Sequence, residues 1–357
     1  MTNKRFSQSR IAKKAPKRRL RKRIKVLLTL MIIAFMAVLS YGTHLYLKAD
    51  SALTGAYEED ERESGKSDLR DDYVDPKFDN VTILIMGIDQ SEKREMRYGD
   101  KSRTDALILA TLNRDDKSVK LLSIPRDSYV YIPEVGYNDK INHAHAFGGT
   151  KGAIDTVENL LEIPVDYYVK LNFHAFVDVI DAIGGVEIDV PYEFTESDSN
   201  DKRDNIHLFE GKQLLNGEEA LAFARTRKKD NDVERGKRQL EIIESVVNKA
   251  TGFSSLFKYD DIIEAVGNNM STNMTFTEMK SFFYYGTDGS NLDVERFTLE
   301  GQDYQPGSTY YYQVDEIALI DTIHTLKKHL ELPTYAESEN LDQNEQQTAE
   351  PEDYYSN

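Results

Sequence analysis

The 357-residue sequence contains no cysteine. This absence excludes a disulfide framework, a zinc site with thiolate ligands and a cysteine nucleophile. The sequence also lacks the Gly-x-Ser-x-Gly motif of a nucleophile elbow, the Walker A motif and the Gly-x-Gly-x-x-Gly motif. Nothing in it therefore indicates a serine hydrolase built on that elbow or a nucleotide-binding site of the other two kinds.

Positive charge is concentrated in one block at the N-terminus. The chain has 45 Lys+Arg and 62 Asp+Glu, a net charge of −17, yet residues 1–25 contain twelve of the cations and no acid. The rest of the chain is therefore more acidic than its net charge indicates. Because a duplex-binding protein needs its cations on a folded face, this distribution argues against nucleic acid as a partner.

A run of 22 uncharged residues, 26–47, follows the basic block. It is long enough to cross a hydrocarbon core of about 30 Å as a helix. The preceding cations predict that the N-terminus stays in the cytoplasm. A cleaved signal peptide is the alternative, although its apolar core would be shorter. We therefore expect a single-pass type II protein of the cell membrane with its folded part outside the cell.

Charge and hydropathy divide the chain into five parts. Residues 48–79 are acidic and poor in apolar side chains, which is typical of a solvated stalk. The C-terminal stretch, with acids and no Lys or Arg after residue 334, is typical of a disordered tail. The predicted parts are a basic cytoplasmic segment 1–25, a transmembrane helix 26–47, a stalk 48–79, a folded domain 80–332 and an acidic tail 333–357.

The folded domain begins with three β-branched apolar runs, 81–86, 105–112 and 118–124. If consecutive strands pair, they form an up-down-up arrangement. The carboxyl ends of the first and third strands then share one sheet edge with the amino end of the second. The charged residues that this places together are Asp89, Arg103, Asp105 and Arg126.

The following segments alternate between helical and strand patterns. Such alternation predicts an α/β domain with a central mixed sheet covered by helices. The predicted helices are 151–161, 173–183, 216–225, 233–250, 255–266, 275–284 and 314–331, and further strands are 166–171 and 186–190.

Residues 225–239 are the densest group of charges, with seven cations and three acids. Asp232 is a candidate helix cap, and Arg235, Arg238 and Gln239 share one helix face by their spacing. That face continues into apolar residues, so the arginines point inward and need an anionic partner. Two interpretations stay open, a solvated charge run and a clamp for phosphate or pyrophosphate.

Metal ligands and aromatic residues allow further hypotheses. Asp89 and Asp105 fit a Mg²⁺ site that is completed by substrate phosphates and water, although they can equally balance Arg103 and Arg126. His143 and His145 lack an obvious third ligand, so zinc has little support. Tyr310-Tyr311-Tyr312 suits either a strand or contact with sugar rings.

Taken together, these residues resemble the LytR-CpsA-Psr family of membrane-anchored cell-wall phosphotransferases. The resemblance covers the anchor and about residues 80–250. The motifs that carry it are ILIMGID (83–89), SRTDALILATL (102–112), LLSIPRDSYV (121–130), DKINHAHAFGG (139–149), DAIGGVEIDV (181–190), LLNGEEALAFARTR (214–227) and the subsequent Asp232, Arg235, Arg238 and Gln239.

The resemblance implies an apolar tunnel for a polyprenyl chain and Mg²⁺ at Asp89 and Asp105. It implies transfer of an anionic glycopolymer, for which we expect wall teichoic acid, from a polyprenyl-pyrophosphate carrier to a peptidoglycan hydroxyl. The catalytic residues implied are Arg103, Arg126, Arg225, Arg227 and Asp232. The pyrophosphate-binding residues implied are Arg103, Arg126, Lys140, Arg225, Arg227, Arg235, Arg238 and Gln239.

Two other functions remain open at this point. A membrane-bound lipid pyrophosphatase would use the same arginines with water as the acceptor. A non-catalytic envelope regulator would act on transcription through the basic segment 1–25, which is too short to hold a folded DNA-binding motif.

Overall fold

The computed structural model describes residues 55–62, 64–88, 102–251, 270–282 and 292–333, with scattered positions between 31 and 51. The chain separates into two compact units, Met1–Lys48 and Ala49–Asn357. In the part of the chain that the structure describes, no helix is both long enough and apolar enough to cross a bilayer. Most of the predicted span 26–47, and the predicted tail after residue 333, lie outside the described residues.

Fourteen strands are defined within the described ranges. They are β1 Val81–Ile88, β2 Thr104–Asn113, β3 Ser118–Ser123, β4 Tyr129–Ile132, β5 Tyr137–Lys140, β6 Tyr167–Leu171, β7 Val186–Val190, β8 Phe194–Glu196, β9 Ile206–Leu208, β10 Gly211–Leu215, β11 Met270–Thr272, β12 Asp293–Thr298, β13 Gly301–Tyr304 and β14 Tyr311–Val314.

Six helices are described in the second unit. They are α1 His143–Leu161, α2 Phe173–Ala182, α3 Gly217–Arg225, α4 Asp232–Thr251, α5 Phe276–Ser281 and α6 Glu316–His329. The predicted helix 255–266 lies outside the described residues.

A six-stranded mixed sheet with the order β11-β6-β1-β2-β3-β12 forms the centre of the domain. The pairs β1–β2 and β2–β3 are antiparallel, which confirms the predicted up-down-up arrangement. Strands β6 and β12 extend the sheet in parallel to β1 and β3. The central strands are apolar along most of their length because both faces of the sheet are covered.

Side chains that alternate along β2 enter two different cores. Leu107 and Leu109 pack with α1 and α6 on one face, whereas Ile108 and Ala110 pack with Leu240 of α4 on the other. A third core joins α2, α3 and the antiparallel strand pair β7–β10. The predicted α/β fold with a helix-covered mixed sheet is therefore confirmed.

Helix α1 begins earlier than the predicted start at residue 151. Gly148 and Gly149 are non-helical inside it, and Gly149 has φ 62° and ψ −153°. Glycine accepts this conformation without the steric cost that a Cβ would bring. The structure therefore contains two helical segments across a kink, and the periodicity identified only the second.

The prediction that residues 48–79 form a solvated stalk is wrong for the described part of that segment. Tyr57 bridges to Thr272 of β11. Arg62 is only 8% exposed and bonds to Asp60 at 2.6 Å and to the carbonyl oxygen of Val165 at 2.8 Å. The acidic composition of this segment was misleading, because some of its charged side chains form ion pairs within the segment or with residues of the domain.

Candidate active site

A cavity of about 1180 Å³ opens beside the edge of the sheet where β2 begins and β3 ends. The charged part of its lining, called here the cationic wall, presents seven basic side chains together with three acids. The cationic wall consists of Arg103, Arg126, Lys140, Arg225, Arg227, Lys228 and Arg235, with Asp105, Asp127 and Glu196 among them.

The rest of the cavity is largely apolar. This apolar wall includes side chains from β1, β2, β6, α1, α2, α3 and α4. Its larger members are Ile85, Ile108, Phe147, Leu171, Phe173, Phe176, Leu221 and Ile243. A ligand that suits the whole cavity therefore has an anionic part and a hydrocarbon part.

Arg126 meets Asp105 at this edge, as the strand order predicts. Its Nη1 donates to Asp105 Oδ1 at 2.5 Å, and its Nε lies 3.5 Å from Asp232 Oδ1. Burial lowers the pKa of Arg126, but attraction to Asp105, Asp232 and Asp127 outweighs that effect and holds the pKa above its ordinary value. The side chain is therefore a fixed cation at the cavity.

Arg235 is a buried cation with less compensation. It is 6% exposed and pairs with Asp232, yet its Nε has no hydrogen-bond partner among the described residues. Burial lowers its pKa; Asp232 opposes that effect, while repulsion from Arg126 and Arg227 adds to it. An anion in the cavity would relieve this repulsion and give the unpaired donor a partner.

A glycine lets α4 approach the sheet closely enough to place Arg235 at the cavity. A Cβ on Gly236 would lie 2.5 Å from the Oγ of Ser123, at the end of β3. The residue next to the arginine therefore has to be small for this helix to keep its position.

Helix α3 carries Arg225 in its last turn, where the helix dipole favours a cation. Asn216 and Glu219 form a capping box at its start. Gly217 lies so close to α2 that a Cβ on it would be 2.3 Å from the carbonyl oxygen of Val177. The guanidinium lies 4.6 Å from the centre of the Phe173 ring. Arg225 is thus oriented by an aromatic face of the apolar wall.

Lys140 reaches the cavity from the β4–β5 hairpin. Its Nζ donates to Asp127 Oδ1 at 2.7 Å. Asp127 is 8% exposed and lines the same cavity. Asp127 is a site residue that the sequence pattern did not indicate, although it directly follows Arg126, because only the hairpin brings Lys140 to it.

Two predicted site residues lie behind the cavity and not on its lining. Arg238 bonds to Asp230 at 2.5 Å and to the carbonyl oxygen of Phe223 at 3.1 Å. Asp232 pairs with Arg235 and accepts from the main-chain N–H of Arg126 at 3.2 Å. The expected cap at Asp232 is wrong, because the Asn231 side chain accepts from Glu234 N–H at 3.1 Å instead.

Of the remaining predicted site residues, three line the cavity and one lies outside the described part of the chain. Arg103, Arg227 and Gln239 line the cavity, and Gln239 also donates to the carbonyl oxygen of Ala224 at 3.3 Å. Asp89 lies outside the described residues, directly after Ile88, which pairs with Thr104.

The two candidate zinc ligands have separate partners. His143 Nδ1 is 2.7 Å from Asp139 Oδ2, and His145 Nδ1 is 2.8 Å from the carbonyl oxygen of Ser102. Within the described ranges, no group of three or more side chains is arranged to hold a metal ion.

Comparison with known proteins gives consistent results. Residues 43–328 match the LytR_cpsA_psr family. The polyisoprenyl-teichoic acid–peptidoglycan teichoic acid transferase TagT of Bacillus subtilis is 38% identical over 324 residues, which are 90% of this chain and 99% of TagT.

Two solved structures share the fold and carry ligands. TagT bound to LIIa-WTA has a TM-score of 0.63 and 37% identity, and covers 75% of this chain and 97% of its own. A LytR-CPS2A-psr family protein, YwtF (TagT), with bound octaprenyl pyrophosphate lipid has a TM-score of 0.59 and 34% identity over the same shares.

Proposed function

The chain belongs to the LytR_cpsA_psr family, and from that membership we propose that it is a polyisoprenyl-teichoic acid–peptidoglycan teichoic acid transferase. It moves an anionic glycopolymer from a polyprenyl-pyrophosphate carrier to a hydroxyl group of a peptidoglycan sugar. Polyprenyl phosphate is the leaving group.

One observation carries this proposal: the cationic wall and the apolar wall enclose the same cavity. A pyrophosphate needs bidentate donors, which Arg126, Arg225 and Arg235 supply, and a polyprenyl chain needs hydrocarbon contacts, which Phe173 and its neighbours supply. TagT bound to LIIa-WTA and YwtF (TagT) with bound octaprenyl pyrophosphate lipid support this distribution of ligand groups.

The reaction follows from the distribution of charge. The acceptor oxygen forms a bond to the phosphorus that carries the glycopolymer, and the bond from that phosphorus to the bridging oxygen breaks. The electron pair of the broken bond stays with polyprenyl phosphate, and the proton of the acceptor hydroxyl is released to water. Fixed guanidinium groups offset the charge that develops on the phosphoryl oxygens.

Asp232 has a positioning role in this proposal. Its carboxylate is shared between Arg126 and Arg235 and does not line the cavity. A general base must reach the proton that it removes, directly or through one water. The geometry therefore favours orientation of an arginine as the role of Asp232, and not removal of the proton from the acceptor hydroxyl.

We assign Mg²⁺ to Asp89 and Asp105. Asp105 presents a carboxylate to the cavity beside Arg126, and such oxygen donors suit this ion, which is commonly bound by one or two carboxylates together with substrate phosphates. When bound, the ion would supply further positive charge next to the phosphoryl oxygens.

The membrane topology is also a proposal. The basic segment 1–25 and the uncharged run 26–47 support an anchor with the N-terminus inside the cell. The catalytic domain would then lie on the outer side of the cell membrane, where peptidoglycan is available.

The decisive experiment offers the detergent-solubilised chain a lipid-pyrophosphoryl glycopolymer with and without peptidoglycan fragments. We expect a covalent product that contains both polymer and fragment, together with polyprenyl phosphate. Free polymer phosphate without coupled product would instead identify a lipid pyrophosphatase. Arg225→Ala should abolish coupling, whereas Lys237→Ala, which removes a cation with a 57% exposed side chain on α4, should not.

A further inference from the structure

Four tyrosine side chains from two β-hairpins form a cluster on the surface. The rings of Tyr129 and Tyr311 have centroids 4.8 Å apart, and Tyr304 lies 5.7 Å from Tyr129 and 6.3 Å from Tyr311. Tyr310 precedes β14 and donates its hydroxyl to Asp303 Oδ1 at 2.9 Å. We call Tyr129, Tyr304, Tyr310 and Tyr311 the tyrosine cluster.

The two hairpins are joined to each other beside the cavity. Ser128 forms a parallel bridge with Tyr312, and Tyr312 N–H donates to the carbonyl oxygen of Asp127 at 2.8 Å. The β13–β14 hairpin therefore has a fixed position relative to Asp127, whose carboxylate lines the cavity.

Lys140 connects the tyrosine cluster to the cationic wall. It pairs with Tyr129 across the β4–β5 hairpin, and its Nζ lies 5.7 Å from the ring centres of both Tyr310 and Tyr311. Because Lys140 also lines the cavity, the tyrosine cluster adjoins the cationic wall.

The cluster is accessible and its chemistry is mixed. All four residues of β13 are exposed, including Tyr304 at 36%, and the other three rings are half-buried. Burial and the hydrogen bond to Asp303 raise the pKa of Tyr310, so its phenol stays neutral. The surface thus offers apolar ring faces, neutral hydroxyl groups and the polar side chains of Gln302 and Asp303.

We propose that the tyrosine cluster binds the acceptor, a β-linked chain of N-acetylated sugars, and holds one of its hydroxyl groups beside Lys140. The inference rests on the proposed function. A pyranose ring has an apolar face of C–H groups that packs on an aromatic ring, and its hydroxyl and acetamido groups need nearby polar partners. Both requirements are met next to the cavity that receives the donor.

An anionic membrane is the other surface that tyrosines suit, and the local charge disfavours it. Asp303 and Glu300 are exposed on the same hairpin, and both would be repelled by anionic lipid. A glycan chain without dense charge has no such penalty.

A single-tryptophan variant tests binding directly, because the natural chain has no tryptophan. Tyr311→Trp places an emission reporter in the cluster, and Tyr73→Trp is the control at a 70% exposed tyrosine elsewhere. Titration with chitohexaose should shift the emission of Tyr311→Trp and leave that of Tyr73→Trp unchanged. A shift with phosphatidylglycerol vesicles and none with chitohexaose would overturn the proposal.

Kinetics with peptidoglycan fragments provide the second test. Tyr304→Ala should raise KM for the fragments about three- to tenfold, with kcat and KM for the lipid donor unchanged. Tyr304→Phe, which keeps the ring, should restore most of the affinity. An unchanged acceptor KM in Tyr304→Ala, measured while the unsubstituted chain transfers polymer, would refute this inference and leave the transferase assignment standing. Absence of transfer by the unsubstituted chain would instead refute the proposed function.

Discussion

Arg235 and Arg238 are equally buried on one face of α4, each 6% exposed, but their guanidinium groups have different partners. Arg235 faces the cavity with an unpaired Nε, whereas Arg238 bonds to Asp230 and to main-chain carbonyl oxygens of the preceding segment. One arginine is therefore available to a ligand, and the other holds the α3–α4 connection in place.

We therefore expect alanine substitution to affect transfer activity at Arg235 and the stability of the domain at Arg238. Arg235→Ala should reduce transfer about 100-fold with little loss of stability, because it removes a phosphate donor and relieves repulsion, while Asp232 keeps its contacts with Arg126. Arg238→Ala should lower the free energy of unfolding by about 3 kcal/mol, because it leaves Asp230 without its charged partner. Urea unfolding and transfer assays on both variants measure the contrast. Equal loss of stability in the two would contradict it.

The role of Asp232 is tested by Asp232→Asn. Loss of a group that only orients arginines should lower kcat about 10- to 100-fold, the usual effect of removing a residue that supports a functional side chain. The pH dependence of kcat should keep its shape, because the substituted residue does not exchange the acceptor proton. Disappearance of the acidic limb of the kcat profile would show that Asp232 is the general base.

The close contact between Gly236 of α4 and Ser123 of β3 leads to a prediction about stability. The effect of Gly236→Ala on the free energy of unfolding should change sign when the Ser123 hydroxyl group is removed. Gly236→Ala should destabilise the domain by about 1–2 kcal/mol, because the new Cβ would lie 2.5 Å from the Ser123 Oγ. In a Ser123→Ala background the same substitution should stabilise by up to about 1 kcal/mol, since alanine is the better helix former. Chemical denaturation of all four proteins gives the coupling energy. A destabilisation that persists without the hydroxyl group would exclude this contact as its cause.

We expect the buried side chain of His329 to make the domain less stable in mild acid. Its Nδ1 lies 2.8 Å from Thr111 Oγ1 and its Nε2 lies 2.8 Å from Ser118 Oγ. Burial, and to a smaller extent Lys120, lowers its pKa to about 4, against the attraction of Asp116 and Glu295.

Because the folded pKa is below the unfolded value of 6.5, the stabilising effect is complete above pH 6.5 and is lost as the pH falls towards 4. The full effect is on the order of 3 kcal/mol. His329→Gln should flatten the dependence of unfolding free energy on pH between 7 and 5. If the slope is unchanged in this variant, groups other than His329 cause the pH dependence of the unfolding free energy.

The sequence predicted the parts of the site that depend on strand alternation. Arg126 reaches Asp105 because β2 and β3 are neighbours and their ends share an edge, and both facts follow from short apolar runs separated by turns. Helix spacing likewise placed Arg235 inward.

Predictions failed where a residue contacts a part of the chain that is distant from it in sequence. Helix spacing cannot distinguish Arg235 from Arg238, because a rise of about 4.5 Å between them is enough to bring one to the cavity and the other beneath a connecting segment. The pair of Asp127 and Lys140 needs a hairpin whose register is set by packing. No local pattern reports such partners.

The docking of residues 55–62 on the domain has a consequence for the order of folding. Arg62 bonds to a carbonyl oxygen 103 residues later in the chain, and Tyr57 bridges to Thr272 of β11. Contacts of such large sequence separation form slowly, because most of the intervening chain must first be ordered. The segment that is synthesised before the domain therefore gains these partners only after β6 and β11 have been synthesised.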